Sequence, residues 1–350
     1  MKRKAIALLV LVAGTSFLSV QAASARLADV SIAGAGSSLV NPLVDSWIAP
    51  LGSAFGYDVS YASVGSGTGI NDITARTVDF GASDAPLNPS QATACNSCVE
   101  IPWALTATTL SYNLPGIPND LHLSGPVIAD IYLGQITNWN DPKITALNPK
   151  LTLPNLTITP VHRSDGSGDT YAFTDYLQRV SPTFQSTVGN NTLVNWPGGV
   201  GASGNAGVAG VIASTSGAIG YISAAYTIPN HLRVAAVQNA AGYFATPGLK
   251  DIEAAALANT KPTSTANGVE MHIVDPPKSA KTAYPISTYS YVIVPASSGK
   301  AMELRKMIFW ALTQGQPYGA KLIFAKIPVP VLAAAEKALK SVSCPSGGCT

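Results

Sequence analysis

Charge is scarce in this chain: Asp, Glu, Lys and Arg together make up 11% of its 350 residues. Nothing in the sequence suggests a nucleic-acid surface, which would need densely clustered Lys and Arg. No Walker lysine follows any glycine-rich turn, and Gly299-Lys300 runs into alanine, so a phosphate-loop nucleotidase is excluded. No Gly-x-Ser-x-Gly elbow occurs, which removes the commonest serine-hydrolase signature. The four histidines, His122, His162, His231 and His272, are scattered and read as structural or surface residues. His162-Arg163-Ser164-Asp165 holds triad residue types, but neighbours on a strand face opposite sides and cannot converge. Cysteine is limited to Cys95-x-x-Cys98 and Cys344-x4-Cys349. In an exported chain two local disulfides are the natural reading. Four cysteines allow three pairings, and sequence does not choose among them. A zinc site competes for the same residues but lacks a compact ribbon arrangement and a nearby histidine. No strand–CxxC–helix context marks a thioredoxin-like centre.

The N-terminus explains much of the remaining charge. Lys2, Arg3 and Lys4 precede the apolar run Ala5–Gly14, and Ala23-Ser24-Ala25 supplies small residues before Arg26. This is the pattern of a secretory signal peptide over residues 1–25, and no cysteine follows for lipid attachment. A periplasmic or secreted location is therefore expected. No later run is long and apolar enough to cross a bilayer. Losing residues 1–25 removes three cations and no acid, so the formal charge falls from +2 to −1. The remaining 325 of 350 residues suit about two α/β domains.

Strand-like and helix-like patterns alternate along the whole body, which predicts α/β layers with largely parallel sheets. Val30–Ala33 reads as a strand leading into Gly34-Ala35-Gly36-Ser37-Ser38 and a helix over Leu39–Phe55. Val59–Val64 reads as a second strand, ending in Gly65-Ser66-Gly67-Thr68-Gly69 before a helix over Ile70–Thr77. Val78–Ala82 is a third strand, ending at Ser83-Asp84. Further on, Leu156–Val161 delivers Arg163-Ser164-Asp165-Gly166-Ser167-Gly168-Asp169 to a helix over Thr170–Val180. Ligands of open α/β sheets bind at such strand ends. Free amides and the helix dipole attract an anion there, and a guanidinium adds bidentate recognition. The β-rich runs Leu105–Leu114 and Tyr284–Val294 flank a central block with its own strand–helix units. Helices are predicted over Met302–Leu312 and Val329–Val342.

Together these turns resemble a known family. Gly34–Ser38, Val64–Gly67, Thr77–Leu87, Arg163–Gly168, Asp130-Ile131-Tyr132-Leu133-Gly134 with Trp139, and Gly217-Ala218-Ile219-Gly220-Tyr221 are similar to the periplasmic phosphate-binding proteins of bacterial phosphate ABC transporters. The likeness runs in order over the chain after residue 25. It implies a two-lobed, type II-like binding-protein fold, each lobe a mixed, mostly parallel sheet flanked by helices, with two hinge crossings. Lobe I would comprise residues 26–107 and 288–350, and lobe II the inserted residues 108–287. The family's phosphate contacts carry over onto Ser38, Leu39, Ser66, Asp84, Arg163, Ser167 and Gly168, with Asp165 orienting the arginine and Gly166 supporting the turn. Leu39 stands where many members have an aromatic residue, which a backbone contact tolerates. Asp84 is the discriminating group: an ionised carboxylate only accepts, so it favours an oxyanion that still bears a proton and penalises sulfate. Asp169 departs from the family's usual threonine. Either it accepts a second ligand proton, or it turns away and caps the helix expected from Thr170.

The resemblance implies high-affinity phosphate capture and delivery to ABC permease subunits by a monomer, with no catalysis, cofactor, metal or nucleic-acid partner. Two other readings remain: a secreted phosphate scavenger or adhesion protein without a transporter, and a phosphoesterase. The esterase would need an activated nucleophile or a metal, for which the sequence offers no position.

Overall fold

A computed structural model describes residues 30–119, 121–265 and 267–349; the expected signal peptide lies outside them. The main path of the large sheet holds eight strands: β1 (Val30–Gly36), β2 (Tyr57–Ser63), β3 (Phe80–Ser83), β4 (Cys98–Tyr112), β5 (Thr159–Arg163), β6 (Val200–Ala202), β7 (Ala218–Ser223) and β8 (Ser287–Pro295). Their order across the sheet is β2-β1-β3-β8-β4-β7-β5-β6. β1 pairs in parallel with β2 and β3, and β5 pairs in parallel with β6 and β7. Between these flanks, β8 runs antiparallel to β3 and β4, and β4 runs antiparallel to β7. The sheet is therefore mixed, parallel at both wings and antiparallel at the joint.

β4 makes the joint. All of its residues are buried. Cys98–Ala107 pair with β8, whereas Thr108–Tyr112 pair with β7, so one strand serves both wings. It starts well before the predicted Leu105, despite Pro102. Proline lacks an N–H and is tolerated in a sheet at a bulge; the register with β8 slips at that point, Ser290 facing Ala104 and Tyr291 facing Pro102.

Helices follow the strands on the β1–β3 wing. α1 (Asn41–Phe55) tolerates Pro42 in its first turn and leaves through Gly56 at φ 72°. It buries Leu43, Val44, Trp47 and Leu51 along one stripe. Trp47 packs edge-on against Trp103 at 5.3 Å and donates its indole N–H to Gly315 O at 2.8 Å. Truncating so large a buried side chain costs about 3–5 kcal/mol. α2 (Ser66–Thr74) and α3 (Gly168–Val180) each begin earlier than predicted, by four and two residues. Gly67 and Gly168, which read as loop, are in fact first-turn residues, whose amides have no partner within the helix. α4 (Gly204–Ser214) follows β6; α5 (Ala301–Leu312) and α6 (Val329–Leu339) close the chain. α6 stops three residues short of the predicted Val342, its last turn passing to Lys340.

Both cysteine pairs are local disulfides, Cys95–Cys98 and Cys344–Cys349. Among the described residues no helix is long and apolar enough to cross a membrane.

Candidate functional site

The strand ends of both wings meet at one place. Ser38 and Leu39 lie between β1 and α1, Ser66 opens α2, and Asp84 directly follows β3. From the other wing, Arg163 ends β5, and Ser167, Gly168 and Asp169 form the start of α3. All of these are buried. Contacts across the wings join them: Gly168 N donates to Ser66 Oγ at 3.1 Å, and Gly67 N donates to Gly166 O at 2.9 Å. The fit leaves no room for larger residues. A Cβ on Gly168 would sit 2.4 Å from the Asp84 Cβ, and one on Gly65, whose φ is +89°, would sit 2.4 Å from Asp165 Oδ2.

Asp84 is held on one side only. Its Oδ2 accepts from Ser37 Oγ at 2.5 Å and from Ser66 Oγ at 3.4 Å, while Oδ1 is buried without a hydrogen-bond partner. Burial, reinforced by the charge of Asp169, pushes its carboxyl up to about 7 against the opposing hydroxyls of Ser37 and Ser290 and the Arg163 charge. A buried acceptor left open in this way requires a partner that brings its own proton.

Arg163 is fixed as a fork. Nε and Nη2 donate to Asp165 Oδ1 and Oδ2 at 2.7 and 2.5 Å, and Nη1 reaches Asp169 Oδ2 at 3.3 Å. Burial opposes ionisation of Asp165, but the two guanidinium bonds and charge outweigh it and hold the carboxyl below its usual value. Asp165 also accepts from Gly204 N at 3.0 Å, which ties the arginine to the start of α4.

Of the two roles open to Asp169, the helix cap is filled by Ser167, whose hydroxyl accepts from Thr170 N. Because α3 starts at Gly168, Asp169 lies inside the first turn with its side chain turned into the site. Its Oδ1 accepts from Thr108 Oγ1 at 2.7 Å and its Oδ2 from Asn205 Nδ2 at 2.7 Å. Burial raises its pKa, with the Arg163 charge opposing.

Three participants escaped the sequence reading. Asn205 donates through both its backbone N and Nδ2 to Ser38 Oγ, at 3.1 and 3.0 Å, and accepts from Ser223 N at 2.8 Å. It therefore links β1's turn, α4 and β7. Its signal was the run Gly201-Ala202-Ser203-Gly204-Asn205, another glycine- and hydroxyl-rich turn at a strand end. Ser37 lies in a motif already singled out, one residue from the chosen Ser38. Thr108 carried no signal at all, because it reads as an ordinary residue of a buried strand.

The assembled groups are hydroxyls, first-turn amides, one guanidinium and two acids of raised pKa. Such a set can surround a small tetrahedral oxyanion that keeps at least one proton. No group of three or more His, Cys, Asp or Glu suited to a metal occurs among the described residues.

Two α/β wings joined by shared strands, with a cluster of hydroxyls, first-turn amides and a guanidinium where their strand ends meet, are the arrangement of the solute-receptor class. Residues 21–308 match the model of the PBP superfamily domain. The chain belongs to the PstS phosphate-binding protein family, being 38% identical over 303 residues to the phosphate-binding protein PstS of Xylella fastidiosa, across 85% of this chain and 82% of that one. The PstS of Pasteurella multocida is likewise 38% identical over 307 residues, across 86% and 88% of the two chains. Solved structures share the fold at lower identity. A phosphate-binding protein from Stenotrophomonas maltophilia matches with a TM-score of 0.65 at 20% identity, covering 88% of this chain and 93% of its own. A putative phosphate ABC transporter substrate-binding protein from Clostridium perfringens, with bound phosphate, matches with a TM-score of 0.61 at 19% identity, covering 85% of this chain and all of its own. The expected two-lobed binding-protein fold and family are both borne out.

Proposed function

We propose that the chain captures inorganic phosphate between two lobes and delivers it to the permease of an ABC importer. On this reading lobe I comprises residues 26–107 and 288–350 and lobe II residues 108–287, the change falling where β4 passes from β8 to β7. Ser38, Leu39, Ser66, Asp84, Arg163, Ser167, Gly168 and Asp169 hold the anion, and Asp165 and Gly166 support them. The observation that carries the proposal is the open side of Asp84, a buried carboxylate oxygen without a donor amid hydroxyls and first-turn amides. Phosphate supplies that donor from its own P–OH and accepts from the surrounding hydroxyls, first-turn amides and guanidinium.

Closing the lobes brings both halves onto one anion, and the ligand stabilises the closed form by that differential contact. The protein does no chemistry of its own in this role. Its relatives' name supports phosphate as the ligand, and on this reading residues 1–25 direct the protein out of the cytoplasm. Competition calorimetry with phosphate, arsenate and sulfate tests the proposal. One phosphate per chain with sulfate excluded is expected, and sulfate binding as tightly as phosphate refutes it.

A further inference from the structure

The charge of the chain is unevenly placed. Lys300–Lys340 holds seven Lys or Arg against two Glu, a surplus of five. The rest of residues 26–350 has eleven such cations against seventeen acids. The basic segment folds into α5 and α6, and between these two helices runs a groove of about 420 Å³. Met302, Phe309 and Leu339 form its apolar walls, and Arg305, Lys306 and Lys340 stand along it with Glu336 as the single acid. Met302, Arg305, Lys306 and Phe309 follow the spacing that places residues on one face of a helix, and all four are exposed. Phe309 and Met302 are 50% and 52% exposed. None of the three cations enters an ion pair among the described residues, although Glu336 lines the same groove.

We infer that this groove docks the protein on an anionic phospholipid bilayer. Apolar side chains interleaved with unpaired cations on one helix face are the pattern of interfacial attachment. The walls suit the acyl boundary of a lipid, while the three cations face the headgroup phosphates. Each cation near an anionic membrane surface contributes on the order of fivefold in affinity. The overall negative charge of the remaining body repels the same surface, so it orients the molecule with α5 and α6 toward it. The groove is built from residues separate from the phosphate cluster, and its occupancy does not depend on that assignment.

The test is co-sedimentation of exported protein, verified by mass to lack residues 1–25, with phosphatidylcholine vesicles containing or lacking phosphatidylglycerol. Binding is expected only to the anionic vesicles, weakening with salt and persisting in saturating free phosphate. Arg305→Glu with Lys306→Glu should weaken it by at least about tenfold while phosphate affinity stays unchanged. Phe309→Ser, which leaves the charge intact, should also weaken it. Absence of binding to anionic vesicles overturns the inference, as does equal binding by the double variant and the parent. Capture of an acidic protein in place of lipid overturns it in favour of a protein partner.

Discussion

Replacing Asp84 by asparagine should collapse the distinction between phosphate and sulfate. In the parent, Ser37 and Ser66 hold Oδ2, so the carboxylate cannot turn away and Oδ1 stays open toward the ligand. Phosphate fills that position with a P–OH donor, a hydrogen bond to a charged group worth about 1.5–3 kcal/mol. Losing it should weaken phosphate by about 10- to 150-fold. Sulfate has no proton to offer at neutral pH and meets a buried acceptor, a mismatch of the kind that costs about 10⁴–10⁵ in sites built for hydrogen bonding. Asparagine removes that charge and can present an N–H, so sulfate should tighten as phosphate loosens. The preference should then fall by about two orders of magnitude or more. Arsenate carries the same proton and should follow phosphate in both proteins, which separates proton recognition from a general loss of site shape. Competition calorimetry on parent and Asp84→Asn reads all three anions. An unchanged phosphate-to-sulfate ratio in the variant would refute the role given to Oδ1.

Three more outcomes follow from the same geometry. In the ligand-free protein the Asp84 carboxyl is raised to about 7, so the stability it contributes is complete below about pH 4 and is lost as pH rises toward 7. Denaturant unfolding of Asp84→Asn should therefore gain on the parent across that window, by on the order of 4 kcal/mol at most, and a pH-independent difference would exclude a raised Asp84. With Asp169 facing the site, phosphate affinity should fall between about pH 6 and 8 as the ligand loses its second proton. Asp169→Thr should flatten that profile in calorimetry, and equal slopes in the two proteins would show that Asp169 takes no ligand proton. Asn205→Ala removes the Nδ2 bonds to Ser38 and Asp169 and strands Ser223 N, so phosphate binding should weaken by about 5- to 150-fold. A change within twofold would mean that the link to Ser38 does not matter in the closed form.

Much of the fold was legible because its strands carry β-branched runs and end in glycine-bearing turns. Val30–Gly36 and Ser287–Pro295 fall close to their predicted positions for that reason. Boundaries slipped where local chemistry and long-range packing disagreed. Glycine in Ser66-Gly67-Thr68-Gly69 argues against helix locally, yet α2 begins at Ser66, where Gly67 meets Gly166 of the other wing. Pro102 argues against a central strand, but the bulge opposite Ser290 and Tyr291 absorbs it. In both cases the deciding partner lies far along the chain, beyond the reach of a local pattern.

The site divides in the same way. Arg163 with Asp165 and Ser167 with Thr170 are pairs within a few residues, so the turn that carries them announces the contact. Thr108 with Asp169 and Ser38 with Asn205 are 61 and 167 residues apart, and nothing in either segment alone marks the encounter. Asp169 shows the consequence. Read locally, an acid near a helix start either caps the helix or faces the ligand, and the sequence does not choose. Once Ser167 takes the cap, Asp169 is left in the first turn with its carboxylate inward, where Thr108, Asn205 and Arg163 supply the donors that a buried charge requires. Two acids of raised pKa therefore line one site: Asp84 keeps one oxygen, Oδ1, without a donor, while both oxygens of Asp169 are served by three donors. On the proposed function, that asymmetry makes Asp84 the group that inspects the ligand for its proton and leaves Asp169 to set how many protons the bound anion keeps.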